Sequence, residues 1–255
     1  MIIQEKVVVI SGGASGLGAA VARRLAARGA QAALLDINEE NGAALCKELG
    51  NKCCFLKTDI TSAPQVQAAI NKIVDRVDRI DIVVNCAGIP AMMKICSQKG
   101  PHDLDYFKKV IEVNLVGPFN VMRLALVKML NNDLNDEGGR GVIINTASIA
   151  AFEGQIGQAA YAASKGALAA LTLPAARDLA TEGIRVVAVA PGIFDTPMLN
   201  VLSEKIRDSL GKMAPFPSRL GKPDEFAQLV QHIIENPMLN GETIRIDGAM
   251  RMAHK

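Results

Sequence analysis

Val7-Val8-Val9-Ile10-Ser11-Gly12-Gly13-Ala14-Ser15-Gly16-Leu17-Gly18 is the stretch that decides the fold. Its first four residues are β-branched and apolar without alternation, as in a strand covered on both faces. Glycines follow, and a helical pattern over Leu17–Arg28 begins at once. Such a turn lets the backbone approach a pyrophosphate closely. The helix N-terminus then offers it free N–H donors. The spacing is Gly-x-x-x-Gly-x-Gly, carried by Gly12, Gly16 and Gly18, rather than the general Gly-x-Gly-x-x-Gly. By itself the pattern also fits a purely structural turn.

Outward from this unit, apolar runs alternate with amphipathic stretches. The further strands are read at Ala32–Asp36, Cys53–Lys57, Ile82–Asn85, Val142–Thr146, Arg185–Ala190 and Thr243–Ile246. Helices are read at Glu39–Leu49, Pro64–Val77, Leu104–Leu130, Gln158–Ala180 and Pro223–Glu235. Repeated strand–helix–strand units predict an α/β fold: one doubly wound, seven-stranded parallel sheet with helices on both faces. No linker or repeat interrupts the series, so residues 1–255 are read as one domain. Ile89–Asp103 and Gly192–Gly221 are longer than connections need to be. Both follow the C-terminal end of a strand, where open α/β sheets bind ligands, and the second is read as a substrate lid within about 192–221.

The second strand ends at Asp36. A carboxylate there accepts hydrogen bonds from both ribose hydroxyls and repels a 2′-phosphate. The plainer reading, a helix N-cap, is weakened because Asn38 can serve that purpose. Ser15 and Ile37 stand where a basic residue would favour NADP, so NAD is expected.

Tyr161-Ala162-Ala163-Ser164-Lys165 places a phenol and an ammonium four residues apart on one helix face. A free tyrosine has a pKa of about 10. A nearby ammonium and an oxidised nicotinamide both favour its phenolate, which can then take the proton of a secondary alcohol. Ser148, just after the fifth strand, can hold the substrate oxygen. Asn114 has two readings, an anchor for a proton-relaying water or a structural hydrogen bond between helices.

A net charge of +2, with basic residues scattered among acidic ones, gives no footprint for nucleic acid. No apolar run approaches the roughly 18 residues of a membrane span. The first residues enter a strand without room for a targeting peptide. Five cysteines without paired spacing read as reduced, mostly buried thiols, and no metal site is expected. The expected location is cytoplasmic, with a mitochondrial matrix as the alternative.

Together these motifs make the chain resemble the short-chain dehydrogenase/reductase family. Asn85-Cys86-Ala87-Gly88 and Pro191-Gly192 add to the resemblance, which runs from the first strand to the sixth. It implies a single-domain Rossmann fold and a tetrad of Asn114, Ser148, Tyr161 and Lys165. It also implies NAD contacts at Gly12, Ser15, Gly16, Leu17, Gly18, Asp36, Asn85, Ala87, Gly88, Tyr161 and Lys165. Adenine contacts are implied at Asp59 and Ile60, and nicotinamide contacts at Pro191, Gly192, Ile193 and Thr196. Ser11 stands where the family usually has threonine.

The segments Gly141–Ser148, Ala151–Gln155, Pro215–Gly221 and Ile234–Pro237, with Pro174 inside a helical stretch, are similar to the type-2 3-hydroxyacyl-CoA dehydrogenase branch of that family. That likeness implies NAD-linked oxidation of 3-hydroxyacyl-CoA, activity on hydroxysteroids, and a homotetramer. Lys94, Lys99, Lys205, Arg207 and Lys212 are read either as contacts for CoA phosphates or as solvated charges. Met198, Leu199, Leu202, Leu210 and Met213 wall an acyl chain or simply pack a lid helix. The rivals are a 3-ketoacyl-thioester reductase, a hydroxysteroid dehydrogenase, and a non-catalytic NAD-binding sensor or scaffold.

Overall fold

The apolar runs assemble into a seven-stranded sheet in a computed structural model that describes residues 1–200 and 202–254. Its strands are β1 (Val7–Ser11), β2 (Gln31–Asp36), β3 (Cys53–Lys57), β4 (Ile82–Asn85), β7 (Gly141–Thr146), β8 (Ile184–Pro191) and β9 (Thr243–Ile246). They lie in the order β3-β2-β1-β4-β7-β8-β9, and every pairing is parallel. Each lies within a residue of its position in the sequence reading. A two-stranded hairpin, β5 (Cys96–Ser97) with β6 (Gly100–Pro101), was not anticipated and is too short to leave a pattern.

Two helical layers cover the sheet. Val8 and Ile10 pack with α1 (Gly16–Ala27) and α8 (Pro223–Glu235), whereas Val7 and Val9 pack with α3 (Ala63–Val77) and α5 (Gly117–Met129). Alternate residues of a strand point to opposite faces, so a continuous apolar run is what two layers require. On the first face, α2 (Glu39–Leu49) packs beside α1, its Gly42 lying against the Phe55 ring. On the second face lies α6 (Ala159–Asp178), which continues through Pro174.

Three expectations are corrected here. The helix read over Leu104–Leu130 is interrupted: α4 (Leu104–Ile111) and α5 are joined by a single widened turn at Glu112–Val116. Pro118 has no N–H for the Asn114 carbonyl four residues back, so the ladder loosens there. Leu104–Met129 is also long and apolar enough, by length and composition, to cross a membrane. The expectation that no apolar stretch is that long is thereby corrected. Its buried side, including Val110, Val121 and Met129, belongs to the core.

The cysteines are the third correction. Cys46 and Cys53 form a disulfide, leaving Cys54, Cys86 and Cys96 free, and Cys96 is exposed. A short turn at Gly50–Lys52 reverses the chain and brings the end of α2 to the start of β3, with a Cα–Cα distance of 5.1 Å. Sequence spacing alone does not reveal that reversal.

Asp81, fully buried before β4, ties the bottom of the sheet together. It accepts hydrogen bonds from the Val7 N–H (2.9 Å) and from Arg79 (3.0 and 2.5 Å), with Lys6 at 3.5 Å. Asp81→Ala leaves a buried N–H and two cations without a partner. Chemical denaturation should show a loss of about 3 kcal/mol; a loss below about 1 kcal/mol would mean the network is redundant.

Candidate active site

The glycine-rich turn is built by contacts that a side chain would obstruct. A Cβ on Gly18 would lie 2.2 Å from the Gly12 carbonyl oxygen, and one on Gly12 would lie 2.6 Å from the Ala87 nitrogen. Gly12 and Gly16 adopt φ of +66° and +51°, which L side chains rarely tolerate. Ser15, the N-cap of α1, makes no side-chain cap, and no acid sits in the first turn. The first N–H groups of α1 therefore remain for an anion.

This turn opens into a cavity of about 810 Å³ at the C-terminal ends of β1 and β4. Crossovers leave those two neighbouring strands toward opposite faces, which makes the crevice. Gly12, Ser15, Gly16, Leu17 and Gly18 line it with Asp36, Asp59, Ile60, Ala87 and Gly88. Ser148, Tyr161, Lys165, Pro191, Gly192, Ile193 and Thr196 line its other half. One Asp36 oxygen accepts from the Ala14 N–H and the other from the Asn38 N–H, both at 3.0 Å. The carboxylate is thereby fixed at the cavity rim, while Asn38 caps α2. The Asp59 carboxyl is held below its usual value chiefly by the Thr61 hydroxyl and N–H, with help from Lys109.

Two predicted residues do not line the cavity. Asn85 is buried in the row Ser11, Asn85, Asn145 across three strands. It accepts from Ser11 Oγ (2.9 Å) and donates to Asn145 (2.9 Å) and the Pro118 carbonyl (3.2 Å). Its side chain faces the α5 layer, so the implied cofactor contact is corrected to a cross-strand strut. Asn114 lies behind Gly88 in the widened turn. Its Oδ1 accepts from Ile89 N–H (2.8 Å), and its Nδ2 donates to Ile89 O (3.0 Å) and Ser164 Oγ (3.2 Å). These contacts match the structural reading of Asn114, a hydrogen bond between helices. Gly88 makes room for it, since a Cβ there would sit 3.2 Å from Asn114 Oδ1 and 3.5 Å from Lys165 Nζ.

The reacting groups come from α6 and the turn after β7. Lys165 Nζ donates to the Thr146 carbonyl at 2.6 Å and lies 5.8 Å from the Tyr161 ring centre. Burial lowers its pKa to about 8, with Cys86 opposing. Burial likewise pushes the Tyr161 phenol up, while hydrogen bonding with Ser148 pulls it back. Ser148 Oγ accepts from Ala150 N–H (3.1 Å), and its hydroxyl faces the Tyr161 phenol.

Residues 192–221, read as a lid, form a short turn at Pro197–Leu199 and α7 (Glu204–Gly211); Val201 lies outside the described residues. Met198, Leu199, Leu202 and Leu210 line the cavity, whereas Met213 packs beside Ile149, Ala214 and Met250. None of Lys94, Lys99, Lys205, Arg207 and Lys212 lines it, and Arg207 pairs with Asp195. Among the described residues the basic one that does, apart from Lys165, is Lys109, one helical turn before Val113 on the same rim. Gln155, Gln158 and Met252 were also missed. Only the fold of the loop before α6 and of the C-terminal tail brings them there.

The model of the short chain dehydrogenase family matches residues 6–207. A 3-hydroxyacyl-CoA dehydrogenase type-2 from Homo sapiens is 55% identical over 252 residues, covering 98% of this chain and 97% of that one. The crystal structure of a 3-hydroxyacyl-CoA dehydrogenase type-2 from Mycobacterium avium superposes with a TM-score of 0.94 at 41% identity, covering 98% and 97% of the two chains. A 3-ketoacyl-(acyl-carrier-protein) reductase from Brucella melitensis, complexed with NADH, has a TM-score of 0.87 at 27% identity, covering 98% and 100%.

Gly18→Ala drives a methyl group into the Gly12 carbonyl and should weaken dinucleotide binding by more than about tenfold, read by NADH fluorescence titration. Wild-type affinity in this variant would show that the turn can open without loss.

Proposed function

The chain belongs to the short chain dehydrogenase family and is an oxidoreductase, and from this premise we propose that it interconverts 3-hydroxyacyl-CoA and 3-ketoacyl-CoA with NAD. The observation that carries the reading is the shared lining of one cavity. Glycines and Asp36, the reacting groups Ser148, Tyr161 and Lys165, and the apolar side chains Met198, Leu199, Leu202 and Leu210 all line it. The close human relative bears the name of that activity.

Bound NAD supplies the hydride acceptor, and its reduced form the donor. The remaining work falls to the chain. Asp36 is the ribose acceptor and disfavours a 2′-phosphate by charge and by its fixed position. Lys165, held by Thr146, presents an ammonium below about pH 8 for hydroxyls of the nicotinamide ribose. Ser148 donates to the substrate oxygen, steadying it as charge develops there. Tyr161 takes the alcohol proton during oxidation and returns it during reduction. Burial raises the phenol's pKa and hydrogen bonding with Ser148 lowers it, so Ser148 assists its loss of a proton. Asn114 holds Ile89 and α6 in register rather than touching the reacting atoms. The apolar wall receives the acyl chain, with residues 192–221 as the lid.

A homotetramer is part of this proposal. Val116, Phe119, Val127 and Leu130, on and beside α5, expose apolar surface that another copy would cover. The second reading is a 3-ketoacyl-thioester reductase, favoured by the likeness to the Brucella reductase, whose structure also holds NADH.

The deciding assay follows nicotinamide absorbance with acetoacetyl-CoA and equal NADH or NADPH. Rapid oxidation of NADH alone, with faster turnover of the CoA thioester than of its acyl-carrier-protein counterpart, supports the dehydrogenase reading; preference for NADPH or for the carrier-protein thioester moves the assignment to the reductase. Tyr161→Phe should reduce turnover by at least about a hundredfold while NADH still binds, and normal turnover would remove Tyr161 from proton transfer. Asp36→Ala should narrow the NADH/NADPH preference by about tenfold or more; an unchanged ratio would mean that selection lies elsewhere.

A further inference from the structure

After β9 the chain does not leave the molecule. Gly248 and Ala249 adopt successive left-handed conformations, φ +60° and +65°, and reverse its direction. Asp247 holds the reversal: its Oδ1 accepts from Ala249 N–H (3.0 Å) and its carbonyl from Met250 N–H (3.1 Å). A non-glycine residue in this conformation persists only where the surroundings fix it. The tail then runs back over the loop between Ser148 and α6. The Gln155 side chain donates to the Ala253 carbonyl (3.1 Å), and the Ile156 N–H donates to the His254 carbonyl (3.1 Å).

Glu153 fastens this arrangement. Its two oxygens accept a bidentate pair from Arg245 at 2.9 and 3.2 Å, and Oε2 also accepts the Met252 N–H at 3.2 Å. Arg251 approaches the same carboxylate at 3.3 Å, and Arg245 also reaches Asp247 and the Met250 carbonyl. These contacts hold the Glu153 carboxyl below its usual value, Arg245 being the main cause. The consequence is at Met252. Its side chain packs against Ile149, Ala214 and Met250 and forms cavity wall on the side of Ser148, Ile149 and Gln155.

We propose that Met252 is a specificity-determining residue that limits how long an acyl chain the cavity accepts, and that Glu153 is the positioning residue that holds it there. This rests on the thioester reading above. Methionine suits such a wall, being apolar, unbranched and able to follow an irregular contour. Nothing in the proton transfer requires Glu153, Arg245 or Met252. Their effect is on the shape of the pocket beyond the reacting carbon.

The test is the ratio of kcat/KM for 3-hydroxydecanoyl-CoA to that for 3-hydroxybutyryl-CoA, measured with NAD on the full chain. Met252→Ala should raise the ratio about tenfold and Met252→Phe should lower it about as much, through KM of the longer substrate. Glu153→Gln should shift the ratio in wild-type background and add nothing to Met252→Ala, because it acts through that side chain. Additive effects would overturn the role of Glu153. Turnover of both thioesters with an unchanged ratio in both Met252 variants would overturn that of Met252 and leave the proposed activity standing. Turnover of neither by the wild-type chain would remove that activity and this inference with it.

Discussion

Parallel strands cannot be joined by a tight turn, and much of this molecule follows from that constraint. Each connection must travel back along a face of the sheet, and right-handed crossovers assign that face. Leaving β1 the chain passes to α1, and leaving β4 it passes to α4 and α5 on the other side. The two departures open a crevice that no side chain has to be removed to create. Glycines let the backbone line it closely, and the free N–H groups of α1 give it an anion-binding end.

Burial sets the electrostatics of that crevice. Lys165 is almost fully enclosed, hydrogen-bonded to a neutral carbonyl, and its pKa falls to about 8. Tyr161 moves the opposite way for the same reason, because low polarity penalises whichever form is charged. Cys86, pushed up to about 11 by burial, stays an uncharged thiol beside them. Below about pH 8 the lysine still carries its charge, beside a phenol that burial holds toward its protonated form.

The loops that complete the cavity are held by polar contacts rather than by the sheet. Asp195 and Arg207 join the strand end to α7, and Glu153 with Arg245 joins the loop before α6 to the C-terminal tail. Asn114 does the same for the segment after β4, and the widened turn around it keeps its amide available to Ile89. Chemistry and substrate shape thus sit on different foundations. Reacting groups stand on α6 and at strand ends, and the walls depend on charge pairs between distant segments.

What the sequence by itself determined is what depends on local pattern. Apolar runs mark the inner strands, because a sheet covered on both faces needs them, while the edge strand β9 alternates Thr243-Ile244-Arg245-Ile246 and is half-buried. The glycine turn, Asp36, Ser148 and the Tyr161–Lys165 pair are legible because each function requires particular residue types at short spacing. Only the tertiary structure decided the rest. Asn85 sits inside a legible motif yet faces the core, since the pleat directs it there. The Leu104–Leu130 pattern hides a widened turn whose cause, Pro118, is local but whose consequence, the placement of Asn114, depends on Ile89 and Ser164. Cys46 meets Cys53 because a short turn reverses the chain, and Met252 reaches a cavity begun by residue 12 because Glu153 and Arg245 fold the tail back. Contacts between distant segments carry no periodicity, so they become visible only when the chain has closed on itself.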